Sequence, residues 1–409
     1  MNNEPKENLL NKLRRAIRPL NIYNALKSVY FAIIPRGSKA YVFTHNSLSI
    51  LIKKLNPYNL SYKEWIRQND SFSEEDFRKI HEKIEGMATK PKFSIIMPVY
   101  NTPREMLEDA IQSVINQTYP HWELCIADDA SDNPNVKEII NKYTHQDSRI
   151  KALFRKENGH ISAASNSALS LASNEFVALL DHDDLLHPLA LYMVSQTIIE
   201  KPDCEIIYTD EDKITKRGRR LDAYFKPDFN YELLLSQNMV SHLGVYRTER
   251  VREVGGFRVG MEGSQDYDLL MRILEKISFE RIVHIPYPLY HWRISKQSVA
   301  EDVNIKPYAI ESGKRAIEEH LQRRSVRADV KFLPELAGYQ INYAQPQEEP
   351  SVAIVIQASD ITETVIRCVD SILTKTRYPC AECMKEQLCT DIEYAPGLAG
   401  GRRSCVAER

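Results

Sequence analysis

The sequence predicts an α/β fold built on a doubly wound, mainly parallel sheet, with a helical region before it. Two observations predict this. From Phe93 onward, short apolar runs alternate with stretches of helical periodicity, and two of those runs stop at acidic clusters, Asp128-Asp129 and Asp181-His182-Asp183-Asp184. Strands and helices alternating at this length build a parallel sheet with helices packed on it. Such sheets bind ligands beyond the carboxyl ends of their strands.

Each element follows in order. Residues 57–90 read as connecting helices. Ser73-Glu74-Glu75-Asp76 opens an amphipathic stretch with acids in the first turn, where the helix dipole favours them. Phe93–Val99 is a short apolar run and reads as a buried strand. Thr102-Pro103 suits a helix start, after which Leu107, Ala110, Ile111, Val114 and Ile115 recur at helical spacing. Glu123–Ala127, Ile150–Phe154, Phe176–Leu180 and Glu205–Thr209 are strand-like. Val136–Tyr143, the Ala/Ser-rich Ser162–Leu171 and Pro188–Ile199 are helical. Beyond these, Leu243–Tyr246 suggests a strand, Val254–Phe257 a turn and Asp266–Leu274 a helix. Ile282–Ile285 leads into the double-Pro turn Pro286-Tyr287-Pro288, and Pro307–Gln322 reads as a surface helix.

The C-terminal part holds a partial repeat. Pro350–Ile356 echoes Pro91–Met97, and Cys368–Leu373 with Thr376 and Tyr378-Pro379 echoes Ala110–Ile115 with Thr118 and Tyr119-Pro120. This reads as the opening βα unit of a second, related domain that stops early. One such unit cannot bury its own apolar faces. The expectation is a chain truncated or out of frame after about Pro379. A zinc site at Cys380, Cys383 and Cys389 is the alternative, which lacks a fourth ligand at the usual pairing. The domain plan is therefore 1–90 helical and basic, 91–300 catalytic, 301–349 a helical linker, 350–379 an incomplete second unit and 380–409 an irregular Cys-rich tail.

Composition narrows the function. A formal net charge of −2 gives no sign of a polyanionic partner, and basic residues are not interleaved with aromatics in the main domain, so no nucleic acid is expected. No window reaches the run of roughly 18 apolar residues that a membrane span needs. Met1–Leu10 lacks a signal-peptide core, and scattered cysteines suit a reducing compartment. The expected location is cytoplasmic. Charge is uneven, however: Asn8–Asn56 has no Asp or Glu but carries Lys12, Arg14, Arg15, Arg18, Lys27, Arg36, Lys39, Lys53 and Lys54. Such a segment either packs on the main domain or makes peripheral contact with an anionic membrane face.

Several residues carry chemistry. Three carboxylates in Asp181-His182-Asp183-Asp184 repel one another unless a cation or water neutralises them, and a hard divalent ion, Mn²⁺ or Mg²⁺, would do so while holding a diphosphate. A solvated acidic turn is the plain alternative. Asp128-Asp129 either hydrogen-bonds a nucleoside or simply turns the chain. Asp266, at a helix start, is a general base or a complement to the helix dipole. His291-Trp292-Arg293 offers a metal ligand and a phosphate partner, or an aromatic latch. The chain has no Gly-x-x-x-x-Gly-Lys loop, no His-Glu-x-x-His and no Gly-x-Ser-x-Gly elbow.

Taken together, Ser94–Asn101, Gln117-Thr118-Tyr119-Pro120, Asp128-Asp129-Ala130-Ser131, Asn158-Gly159, Ala163-Ala164-Ser165-Asn166, Asp181-His182-Asp183-Asp184, Gly255-Gly256-Phe257 and Gln265-Asp266 resemble the family 2 glycosyltransferases of the GT-A fold, over roughly Lys92–Ser298. The resemblance implies that Pro98, Tyr100, Asn101, Asp128 and Asn158 line the nucleotide-sugar site. It implies that Asp181 and Asp183 form the Asp-x-Asp motif for ribose, diphosphate and metal, with His182 between them. It makes Asp266 the catalytic base, with Gln265 where the family has Glu, and lets His291 approach the metal beside Asp183. Single displacement with inversion would follow. The arrangement of Tyr62-Lys63-Glu64-Trp65-Ile66 before the catalytic domain resembles bacterial O-antigen or surface-polysaccharide transferases. That implies a glycan acceptor on a lipid carrier at the inner face of the cytoplasmic membrane. An inactive scaffold of a polysaccharide-assembly complex and a metal phosphohydrolase using His182, Asp183 and His187 are the competing readings.

Overall fold

A computed structural model describes residues 57–294, 307–344, 354–356 and 363–375. The basic stretch Asn8–Asn56 and the Cys-rich tail lie outside the described residues. The chain divides into two compact units, Met1–Tyr343 and Ala344–Arg409.

The first unit opens with helices α1 (Pro57–Asn69) and α2 (Glu74–Glu85). Ser73 and Asp76 cap α2 reciprocally: the Ser73 hydroxyl accepts from the Asp76 N–H, and the Asp76 carboxylate accepts from the Ser73 N–H. There follow β1 (Phe93–Val99), α3 (Arg104–Ile115), β2 (Trp122–Asp128), α4 (Pro134–Gln146), β3 (Ile150–Phe154), α5 (His160–Leu171) and β4 (Phe176–Leu179). Then come β5 (Leu185–Leu186), α6 (Ala190–Glu200), β6 (Ile206–Ile214), β7 (Arg220–Tyr224), α7 (Tyr231–Ser236), β8 (Gly244–Arg247), α8 (Thr248–Glu253), α9 (Gln265–Leu274) and β9 (Ile282–Arg293). Helix α10 (Pro307–Arg323) and the hairpin β10 (Ala328–Leu333) and β11 (Gly338–Tyr343) close the unit.

The main sheet has nine strands in the order β3-β2-β1-β4-β8-β6-β9-β5, with β7 on β6. Strands β1 to β4 pair in parallel, and β6 and β9 are parallel to each other. Because β8 lies antiparallel between β4 and β6, those six strands share one direction. This is the expected α/β architecture of the GT-A fold, mainly parallel and wound on both faces. The two faces are visible in β1. Phe93, Ile95, Met97 and Val99 pack with Leu107, Ile111, Ile139, Ile140 and Val194 of α3, α4 and α6. Ile96 packs on the other side with Ala168, Leu234, Leu270 and Ile317 of α5, α7, α9 and α10. A strand buried on both faces reads as a continuous apolar run, which is why β1 was legible. Pro98 lies beyond the last residue that β1 pairs with β4, Ile96↔Leu179, so its missing N–H withholds no bond from that neighbour.

Two segments differ from expectation. The double-Pro stretch is not a turn but the middle of β9, because the pairing skips from Thr209↔Ile285 to Asp210↔Pro288 and again to Glu211↔Tyr290. This bulge takes up Pro286, Tyr287 and Leu289 without breaking the strand. Residues 301–349, expected to be a helical linker, hold α10 and then the hairpin. Val330 is buried with Ile317 and Leu321, and the Tyr339 hydroxyl donates to the Ile310 carbonyl, so the hairpin has a helix to lean on. In the second unit, helix α11 (Glu363–Lys375) falls where the repeat expects one, whereas Ile354–Ile356 has no regular structure.

Candidate active site

The carboxyl ends of β1, β2 and β4 bring the expected binding residues to one edge of the sheet. After β1, Tyr100 is exposed and Asn101 turns the chain with φ 49°. The Asn101 N–H donates to Ser131 Oγ at 2.8 Å, and Asn101 Oδ1 accepts from the Asn133 N–H at 3.0 Å. Asp128, the last residue of β2, is buried and accepts from the Ser131 N–H at 3.3 Å. The loops after β1 and β2 are thus tied together. Asp129 is turned the other way: it accepts from the Gly159 N–H at 3.0 Å and pairs with Arg155 at 2.7 Å. Asn158 joins that turn, with Nδ2 donating to the Asp129 carbonyl at 3.2 Å.

The acidic end of β4 is the centre of the site. One oxygen each of Asp181 and Asp184 and one ring nitrogen of His242 lie within 4.8 Å of one another. Asp184 is fully buried, and its two oxygens accept from the Tyr290 hydroxyl and the Arg293 N–H, each at 2.7 Å. Burial, and then the neighbouring Asp183 and Asp181, push its carboxyl well above the usual carboxylate range. Those are the conditions in which a cation is welcome. Hard divalent ions hold oxygen and nitrogen donors at about 2.1 Å and so space them up to roughly 4.2 Å apart, which a small side-chain movement would reach here. The donors present fit Mn²⁺ or Mg²⁺. Asp183 is half-exposed beside them, and His182 Nδ1 is buried with no hydrogen-bond partner, 3.9 Å from the Asp183 carboxylate. Arg293 braces the turn by donating to the Asp183 carbonyl at 2.8 Å.

Asp266, in the first turn of α9, reaches the same place. Asn238 Nδ2 donates to its Oδ2 at 2.8 Å. Burial pushes the Asp266 carboxyl above its ordinary range; His242 pulls it back, and Asp181 adds to the rise. His242 lies 3.9 Å from the Asp181 carboxylate, at the other end of the loop that starts from Asn238. Its ring stacks on Tyr290 with centroids 4.5 Å apart and meets Trp292 edge-on.

His291 points elsewhere. It is buried, and its Nδ1 lies 2.7 Å from Asp212 Oδ1. Burial holds its ring toward the neutral form against the pull of Asp212. Asp212 also takes the Tyr62 hydroxyl and Arg220 Nε, and Arg220 in turn pairs with Asp70, which accepts from Tyr287 and lies 2.9 Å from His187. This cluster docks α1 onto the sheet. Strand β9 separates the two groups: Tyr290 and Trp292 contact His242, while His291 faces Asp212.

Several motif pieces hold the frame. Gln117 donates to the Ser113 and His187 carbonyls and accepts from the Leu191 N–H, so it fixes the chain that follows the acidic turn. Asn166 clasps the Gly-Gly turn, donating to the Phe257 carbonyl at 2.7 Å and accepting from the Phe257 N–H at 2.8 Å. Gly256 has φ +70°, and a Cβ there would lie 2.4 Å from Asn166 Oδ1. The residues that sequence reasoning missed are Asn238 and His242. Nothing in Ser241-His242-Leu243-Gly244 marks them, because their role comes from β8 lying beside β4.

Residues 94–255 match the family model described as Glycosyl transferase family 2. The chain carries a family 2 glycosyltransferase domain. The chain is 43% identical over 325 residues to the uncharacterised protein y4gI of Sinorhizobium fredii, a match covering 78% of this chain and 35% of that protein. It is 34% identical over 298 residues to the O-antigen biosynthesis protein RfbC of Myxococcus xanthus, covering 73% of this chain and 23% of that one. It therefore spans about a third or less of the length of these relatives. The crystal structure of S. aureus TarS 1-349 aligns with a TM-score of 0.44 at 20% identity, over 56% of this chain and 65% of that one. The family 2 domain holds the acidic end of β4, Asn238 and His242; Asp266 and β9 lie just beyond the matched residues. No helix of the described residues is long and apolar enough to cross a membrane.

Proposed function

We propose that this chain transfers a sugar from a nucleotide-sugar donor to a hydroxyl of a growing, lipid-linked surface polysaccharide, with inversion at the anomeric carbon. The observation that carries this is the loop 238–242, which puts Asn238 on Asp266 and His242 3.9 Å from Asp181 at the acidic end of β4. The loops of Pro98 to Asn101, Asp128 and Asn158 would receive the nucleoside, and Asp181 and His182 the ribose and diphosphate. Asp181, Asp183 and Asp184 with His242 would hold Mn²⁺ or Mg²⁺, which when bound offsets charge on the departing nucleoside diphosphate. His291 Nδ1 is taken by Asp212, so any approach to the cation falls to its Nε2.

Asp266 takes the proton of the acceptor hydroxyl as that oxygen attacks the anomeric carbon. The bond from that carbon to the diphosphate oxygen breaks, and the nucleoside diphosphate leaves. Asn238 keeps the Asp266 carboxylate aimed at the acceptor. One base without a carboxylate nucleophile gives a single displacement. The name of the RfbC relative supports the polysaccharide acceptor, and the cations of Asn8–Asn56 support peripheral contact at the cytoplasmic membrane face.

The test is donor turnover over a panel of UDP-, dTDP- and GDP-sugars with Mn²⁺ or Mg²⁺ and lipid-linked acceptor extract. Nucleoside diphosphate should appear from one donor and be lost in Asp266→Asn and Asp183→Ala. General-base removal typically costs roughly 10²–10⁴-fold. Nucleotide binding without release in the wild type would instead indicate the scaffold.

A further inference from the structure

Lys226 is wholly buried at its side chain, although it is a lysine. Its Nζ donates to Glu211 Oε2 at 3.0 Å, to the Val240 carbonyl at 2.7 Å and to the His242 carbonyl at 2.6 Å. All three ammonium donors are thereby used. Glu211 Oε2 also accepts from the His242 N–H at 3.0 Å. His242 is thus held by its backbone on both sides, its N–H by Glu211 and its carbonyl by Lys226. The flanking amides are closed by side chains too: Ser241 N–H donates to Asn238 Oδ1 at 3.1 Å and Leu243 N–H to Thr209 Oγ1 at 3.3 Å. The pinned loop carries Asn238 at one end, on Asp266, and His242 at the other, beside Asp181.

A buried ion pair seldom adds net stability over apolar packing. This one spends its hydrogen bonds on two carbonyls and an amide of one short loop, which is what fixing a geometry requires. We infer that Lys226 and Glu211 are positioning residues that hold loop 238–242 so that Asn238 orients Asp266 while His242 faces Asp181, coupling the base to the diphosphate end of the site. This rests on the proposed transferase function. Neither side chain touches a reacting atom.

The test uses the full chain as wild type, Lys226→Met and Lys226→Met/Glu211→Leu. The double variant leaves no lone buried charge, so it keeps the test available if Lys226→Met does not fold. Hydrogen exchange of the 241–243 amides and steady-state turnover of the donor found above are both read. Exchange should rise at least about tenfold in the variants, and kcat should fall at least about tenfold with donor KM changed less than about threefold. Added to Asn238→Ala/His242→Ala, Lys226→Met should cause little further loss of kcat, because it acts only through those two residues. Unchanged exchange, or a kcat loss that multiplies in full with that of Asn238→Ala/His242→Ala, would overturn the inference. If wild type releases no nucleoside diphosphate, the transferase reading fails, while exchange still decides whether the pair holds the loop.

Discussion

At Asp266 two opposing influences meet: burial disfavours the carboxylate, and the Asn238 amide and nearby His242 favour it. A base must be ionised to accept a proton, so activity falls as pH drops through its folded value, and that value lies above the ordinary carboxylate range. At saturating cation, the acidic limb of the kcat profile should therefore sit above about pH 4. Asn238→Ala removes a donor to the ionised form and should move that limb to higher pH; an unmoved limb would mean that Asp266 is not the group titrating. Gly256 makes a structural demand at the same scale. With φ +70° and the Asn166 oxygen where a Cβ would go, Gly256→Ala should cost about 1–3 kcal/mol in denaturant unfolding. The sequence displayed Asp181, Asp183, Asp184 and Asp266 because acids at strand and helix ends stand out against apolar runs. It did not display His242 or Lys226, since a histidine after a serine and a lysine before a proline acquire meaning only from the strands beside them.

Helix α1 shows how an element is held by buried charge as well as by aromatic packing. Burial alone would push the Asp70 carboxyl up, but His187, Arg220 and Tyr287 outweigh it and hold it at about 2. Its folded value lies below the ordinary one of about 3.9, so its contribution to stability is complete above that value and is lost as pH falls toward 2. Trp65 packs against Phe225 and Tyr287 beside this cluster, and its fluorescence should report release of α1 in that window. Arg220→Met leaves Asp70 and Asp212 buried without their shared cation and should destabilise the chain by about 3–5 kcal/mol in equilibrium unfolding. The helices around the parallel strands were readable from 3.6-residue spacing. Strand β9 was not, because its two prolines signal a turn and only the partner strand reveals the bulge that absorbs them.

For the whole molecule, both apolar clusters and every residue of the candidate site lie before Ala344. A chain ending at Tyr343 should therefore unfold in one cooperative transition and keep kcat within about twofold of the full chain; a larger loss would give the second unit a part in turnover. The doubly wound plan was legible because each βα unit repeats the same apolar signature. The hairpin β10–β11 was not, because its residues are half-exposed and gain their order from α10. One consequence of the bulge in β9 reaches across the molecule. Side chains alternate along a strand, so the three extra residues Pro286, Tyr287 and Leu289 set the parity of everything after them. Tyr290 and Trp292 reach His242, and His291 reaches Asp212, only because that count is odd. Loss or gain of a single residue there would exchange the two polar clusters across the sheet and turn Tyr290 out of the core with them, so the length of this stretch is free to change only in steps of two.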